Sequence, residues 1–119
     1  MIILNLTQHN TSTAQYDMGV REPSEKGRIR ALLTFVEIPA KDELRERAEE
    51  LADIAEDSGC GAVMLGGAPF FMGTLEQELK LRGIRVFYAF SLRESQEHVN
   101  PDGTVSKTAI FRHVGFVEV

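Results

Sequence analysis

Cysteine is almost missing from this sequence, and Cys60 is the only one. A single cysteine excludes an intrachain disulfide, and paired cysteines that could form a zinc site are absent. The three histidines are scattered, and no H-E-x-x-H or D-x-D spacing accompanies them. The sequence therefore predicts neither a bound metal nor a cofactor.

Long apolar runs are also missing, since no segment approaches the roughly 20 apolar residues that a membrane-crossing helix needs. The opening MIILNLTQHN turns polar too early for a signal peptide and carries no basic segment. We therefore expect a cytoplasmic protein with no membrane contact. Basic residues are in the minority, and the net charge of −5 argues against binding duplex DNA. A small anionic ligand remains compatible, because a few local donors are enough to hold one.

The residues that are present indicate one globular domain over residues 1–119. The hydrophobic fraction of 43% and the charged fraction of 26% are close to globular averages. Short apolar runs alternate with helical patterns, and the polar segment 20–28 is interpreted as a loop. The runs predict strands over Ile2–Leu6, Ala31–Val36, Ala62–Leu65 and Arg85–Phe90, with helices over Ala14–Met18, Pro39–Asp57 and from Pro69 to a stop at Gly83.

This alternation predicts an α/β, Rossmann-like domain with a mostly parallel sheet flanked by helices. The turn signal Asn100-Pro101-Asp102-Gly103 lies between alternating stretches and predicts a C-terminal β-hairpin. A turn centred on Pro101 and Asp102 would bring Ser91 near Arg112 and Arg93 near Ile110.

Three polar segments are expected at the carboxyl ends of the strands, where open α/β sheets bind their ligands. The first follows the opening strand, the second leads into the helix at Pro69, and the third follows the fourth predicted strand. Arg112 joins the third segment through the hairpin. The predicted ligand-binding residues are Asn5, Thr7, Gln8 and Thr11, then Gly66, Gly67 and Ala68, and then Ser91, Arg93 and Arg112.

Each of these segments allows a functional and a structural interpretation. Gly66 and Gly67 can expose backbone N–H groups to an anion at a helix start, or form a tight turn that needs positive φ. His9 suits proton transfer near neutral pH, or only hydrogen bonding within its loop. Arg93 can offer a fork of donors to a phosphate, or pair with Glu94 or Glu97.

The opening IILNLTQHNTSTAQ resembles the start of small CRISPR-associated, CARF-like proteins of the ring nuclease group. These proteins, and related phage and bacterial ones, begin with a strand that runs into an L-N-[FL]-[ST]-x-H-x-x-T-x-x-Q segment. The resemblance covers about the first fifteen residues, and the rest agrees only in architecture. The matching residues are Leu4, Asn5, Leu6, Thr7, His9 and Gln15.

The resemblance implies a CARF-like homodimer that binds a cyclic oligoadenylate second messenger across its interface. It also implies metal-independent cleavage, in which a 2′-hydroxyl of the ligand attacks the adjacent phosphate. His9 and Arg93 are then the candidate catalytic residues. The sequence departs from this expectation in carrying no lysine in the first loop or in the glycine turn.

Two other functions remain open at this point. The protein can be a nucleotide sponge, which binds a signalling nucleotide without cleaving it. It can instead be a phage- or defence-associated interaction module that presents the acidic helix face over 42–57 to a basic partner. Arg45 and Arg47 interrupt that face, and mixed charge favours solubility over capture of a partner.

Overall fold

A computed structural model describes all residues from 1 to 119. Five strands form one sheet, and four helices connect the first four of them. In chain order the elements are β1 (Ile3–Leu6), α1 (Thr13–Asp17), β2 (Val20–Arg21), α2 (Lys26–Leu33), α3 (Lys41–Ser58), β3 (Ala62–Leu65), α4 (Pro69–Leu81), β4 (Arg85–Val99) and β5 (Val105–Glu118).

The sheet has the strand order β2-β1-β3-β4-β5, in which the first four strands run parallel and β5 runs antiparallel to β4. The prediction of a mostly parallel sheet with flanking helices and a C-terminal hairpin is therefore confirmed. β1 and β3 are fully buried, as central strands of a parallel sheet are expected to be, and Asn5 is the only polar residue in them.

The main core lies between one face of the sheet and the three longer helices. Alternate strand residues such as Leu6 and Val63 point to that face and pack against side chains such as Leu51 and Leu75. The opposite face carries a smaller cluster that includes Met64. The short helix α1 lies against both β2 and β5, which are the two edge strands, so the sheet curls around it.

The two long helices agree with the sequence pattern. α3 was predicted to within two residues at each end, and it stops at Gly59, whose φ of 72° is left-handed. Pro69 is the first residue of α4, the position where proline fits a helix best. No helix is both long enough and apolar enough to cross a membrane.

The prediction of a strand over 31–36 is wrong, because residues 26–33 form α2. The buried residues Ile29, Leu32 and Leu33 follow helical spacing. The stripe was missed because Ile29 lies in the charged segment that was interpreted as a loop. The prediction of a loop over 20–28 is also wrong in part, since Val20 and Arg21 form β2.

The C-terminal hairpin is longer than predicted, and its register differs by one residue. The strand predicted to end at Phe90 continues to Val99, so the segment 91–95 is part of β4. Ser91 pairs with His113 and Arg93 with Phe111, because Thr104 joins the turn. The N–H of Thr104 donates to Asp102 Oδ1 at 2.9 Å, and the carbonyl of Thr104 accepts from the N–H of Asn100 at 2.8 Å.

Residues 91–113 form a two-stranded arm that extends beyond the body of the protein. All side chains from 91 to 99 and from 101 to 112 are exposed. The radius of gyration is 17.3 Å, whereas a compact chain of this length has about 13.5 Å. The arm therefore packs on nothing else within the chain.

The role of α2 in the core gives a first prediction. Ile29 has no exposed surface, so Ile29→Ala should lower the free energy of unfolding by about 2–5 kcal/mol. Leu81, which is 75% exposed at the end of α4, provides the control. Leu81→Ala should change the free energy of unfolding by no more than about 0.5 kcal/mol. Urea unfolding followed by circular dichroism measures both. Equal, small effects would contradict the assignment of α2 to the core.

Candidate functional site

A cavity of about 520 Å³ opens at the carboxyl ends of β1 and β3. From β1 the chain passes to β2 on one side, and β3 then lies on the other side of β1. The strand order therefore reverses between β1 and β3. Ligands of open α/β sheets bind at such reversals. The polar lining comes from the loop after β1, the start of α1 and the turn after β3, and includes Gln8, His9, Asn10, Gln15, Gly66 and Gly67.

Gly66 and Gly67 allow close packing at the cavity wall. Neither has positive φ, so the interpretation as a tight turn that needs positive φ is wrong. A Cβ on Gly66 would lie 3.3 Å from Thr7 Cγ2, and one on Gly67 would lie 3.1 Å from Met72 Cε. The N–H groups of Gly67 and Ala68 donate to no acceptor within the chain, although only Gly67 lines the cavity.

The buried side chain of Asn5 holds the loop after β1. Its Oδ1 accepts hydrogen bonds from the Thr7 N–H at 3.0 Å and the Thr7 hydroxyl at 2.7 Å. Its Nδ2 lies 2.9 Å from the His9 carbonyl oxygen, 3.0 Å from Thr11 Oγ1 and 2.9 Å from Glu22 Oε1. Asn5 does not line the cavity, so it shapes the loop instead of facing a ligand. Thr11 is likewise held by Glu22 through its N–H and its hydroxyl.

Two cations of α2 hold the same loop from outside, and neither was predicted from the sequence. Lys26 Nζ donates to the carbonyl of Thr7 at 2.9 Å and to that of His9 at 2.6 Å. Arg30 donates through Nε to the carbonyl of Gln8 at 3.0 Å. Their spacing of four residues would have indicated one helix face, had α2 been recognised.

His9 lies on the cavity wall with an exposed ring that forms no hydrogen bond within the chain. Its backbone carbonyl is held by Asn5 and Lys26, so the ring projects from a fixed position. Tyr88 lies at the opposite wall and donates its hydroxyl to Glu76 at 2.9 Å. Burial, followed by this hydrogen bond, raises the pKa of Tyr88 above its usual value.

The third predicted segment lies outside the cavity. Ser91, Arg93 and Arg112 are all on the arm. Arg112 pairs with Glu94 at 2.9 Å. The predicted pairing of Arg93 with Glu94 or Glu97 does not form, because Glu97 pairs with Lys107.

His113 also stays outside the cavity. Its ring packs against Phe116 with centroids 4.9 Å apart. Burial lowers the pKa of His113, which favours the neutral ring. The structure thus brings the first two polar segments together and separates the third from them.

No three side chains of His, Cys, Asp or Glu lie close enough together to hold a metal ion. The fold and the cavity define an α/β protein with a polar cleft where its strand order reverses. A family model described as the uncharacterized protein MJ1673 family matches residues 1–117, so the chain belongs to this family. Searches of curated proteins and of solved structures returned no match.

The hydrogen bonds of Glu22 give a second prediction. Burial acts to raise its pKa, but hydrogen bonds from Thr11 and Asn5, together with the charge of Lys26, lower it below 4.5. Stability from this carboxylate is therefore present above the unfolded-state pKa and is lost as the pH falls through the folded-state value. We expect Glu22→Gln to reduce the loss of stability between neutral and acidic pH.

Urea midpoints measured from pH 7 down to pH 3 test this expectation. Glu46, which is exposed on α3, supplies the matched control Glu46→Gln. That variant should follow the pH dependence of the parent protein. If Glu22→Gln also follows the parent, the loop does not depend on this carboxylate.

Proposed function

We propose that this protein binds a nucleotide second messenger of the cyclic oligoadenylate type in the cleft between β1 and β3, and that it does so as a homodimer. One observation carries the proposal. The exposed ring of His9, the open N–H of Gly67 and the amides of the first loop face a single cavity at the reversal of strand order. Such a lining offers donors to phosphate and to base edges together.

The donors that remain free match the phosphate and the base of an adenine nucleotide. The N–H of Gly67 faces the cavity just before α4 begins, where the helix dipole also favours a negative charge. The side-chain amide nitrogens of Asn10 and Gln15 donate to no acceptor within the chain, while their oxygens accept from Arg30 and from the Ser12 N–H. Each free amide N–H can donate to an acceptor on the edge of adenine, such as N7.

The size of the cavity supports a dimeric site. A volume of about 520 Å³ is in the range of pockets for a single drug-sized ligand, roughly 300–1,000 Å³. A ring of several nucleotides is larger than such a ligand. A second copy related by a twofold axis would supply the other half of the site to a symmetric ring.

Cleavage of the bound ring is a second candidate function, and the free ring of His9 favours it. In this reaction the ligand's 2′-oxygen attacks the adjacent phosphorus and its proton passes to His9. The bond from phosphorus to the 5′-oxygen breaks, and this oxygen takes up a proton. The products carry a 2′,3′-cyclic phosphate and a 5′-hydroxyl. No lysine or arginine lines the cavity, so slow turnover is expected.

The interaction-module alternative receives little support from the face of α3. Glu43 pairs with Arg47 at 3.0 Å, Glu50 with Arg28 at 2.5 Å, and Asp53 with Arg82. Arginines from three different helices or helix ends thus neutralise much of this face. A basic partner would have to displace these ion pairs.

Ligand binding gives a third prediction. Cyclic tetra-adenylate or hexa-adenylate, at a concentration 100 times its Kd, should raise the free energy of unfolding by about 2.7 kcal/mol. Gly67→Val should abolish that gain, because a side chain there presses on Met72 and Leu33 behind the cavity wall and displaces the Gly67 N–H. Gly27→Val is the matched control, since a Cβ on Gly27 meets nothing within 4 Å. A parent protein that none of these rings stabilises would contradict the proposal.

Turnover gives a fourth prediction, measured as the release of linear product with a 2′,3′-cyclic phosphate. If His9 transfers the proton, His9→Ala should slow product release by about 10²–10⁴ while affinity changes little. His98→Ala removes an exposed histidine of the arm and should leave both quantities unchanged. Binding without any product from the parent protein would identify a sponge instead of an enzyme.

A further inference from the structure

The arm is too long to be explained by the fold of one chain. Its nine paired positions, from Ser91 with His113 to Val99 with Val105, span about 30 Å at 3.4 Å per residue. A two-stranded hairpin that packs on nothing is at best marginally stable in water. A surface that covers the arm is therefore expected outside the chain.

One face of the arm is the better docking face. Because directly paired residues share a face, Phe111 lies beside Arg93, with Ala109 further along. Val99 and Val105 are on this face near the tip. Phe111 is 71% exposed, and Arg93 forms no ion pair within the chain, whereas Glu97 and Lys107 on the same face neutralise each other.

The body carries one apolar surface that matches this face. Phe35, Val36, Ile38 and Phe70 form what we call the apolar patch, in which Val36 is 90% and Ile38 99% exposed. The ring of Phe35 supports the patch by packing on Phe70 at 5.0 Å. Glu37 lies within it and forms no ion pair.

The patch lies at the same end of the sheet as the arm. α3 ends just before β3 begins, so the residues that precede α3 lie near the carboxyl end of β3. Phe70 is in the first turn of α4, which follows that carboxyl end directly. The arm leaves the same edge as a continuation of β4. A second copy facing this end therefore meets both surfaces.

Contact areas favour reciprocal exchange of arms over a contact between two arms. One arm face of about 30 Å by 10 Å covers about 300 Å². Two arms packed on each other would bury about 600 Å² in total, which is the range of crystal contacts, below about 800 Å². Two arms that each cover the other copy's patch would bury about 1,200 Å², the lower bound for stable interfaces.

We propose that two copies exchange arms: the arm of each copy lies on the apolar patch of the other, with Arg93 facing the partner's Glu37. This exchange closes a twofold dimer, because each copy gives one arm and receives one. It also brings the two cavities to the same interface, since both surfaces lie at the cavity end. The inference rests on the homodimer of the proposed function and names the surfaces that form it.

The test measures oligomeric state by light scattering after size exclusion, without nucleotide. The parent protein should be a dimer, and Phe111→Ser and Ile38→Ser should each give a folded monomer. Leu81→Ser changes an apolar residue that is 75% exposed elsewhere on the surface, and it should remain dimeric. A monomeric parent, an open series of larger assemblies, or a dimer that survives either of the first two variants would overturn the proposal.

A charge exchange tests the pairing of the two surfaces directly. Arg93→Glu should raise the dissociation constant of the dimer about tenfold or more, because it places two carboxylates together. Adding Glu37→Arg should restore the parent value. Failure of this rescue would overturn the pairing. Binding of cyclic oligoadenylate is measured separately, so a dimer that binds no nucleotide would contradict the proposed function and leave the arm exchange standing.

Discussion

The candidate site depends on the buried amide of Asn5. An unpaired amide at this position would be costly, because a buried polar group loses its hydrogen bonds to water. Asn5 meets this constraint by bonding to Thr7, the His9 carbonyl, Thr11 and Glu22. The loop after β1 is therefore folded back over the strand end and tied to the segment that follows β2. The wall of the cavity and the position of the His9 backbone both follow from these bonds.

The parts of the fold that could be predicted are those in which local pattern and tertiary burial agree. β3 is a short apolar run buried on both sides, and α3 repeats its apolar residues at helical spacing, so both appear in the sequence. α2 could not be recognised in the same way. Its buried residues are few, Ile29 is surrounded by charges, and the apolar run at its end also fits a strand. Only the packing of this segment against α3 and the sheet makes it a helix and not a strand.

The candidate site was predictable where it depends on topology alone. The segments after β1 and β3 must meet, because neighbouring parallel strands end at one edge, and the first polar segment meets the Gly66-Gly67 turn there. The segment 91–95 was misplaced because no signal in the sequence tells a strand that ends at the edge from one that continues. Lys26 and Arg30 were missed with α2. They supply the cations that the loop itself lacks, although both are bonded to backbone carbonyls there.

The antiparallel pairing of β4 and β5 lets these two strands extend past the edge of the parallel sheet. Two neighbouring parallel strands are joined by a crossover, usually a helix, whereas two antiparallel strands can be joined by a short turn. β4 can extend past the edge because β5 pairs with it directly. The arm therefore rises beside the cavity, whose rim includes Tyr88 and Ala89 of the same strand. Under the proposed arm exchange, a ligand that bridges two cavities would bind only the dimer, so its binding would stabilise the dimer by mass action. Ligand affinity and subunit association would then be one coupled equilibrium, and each would depend on protein concentration.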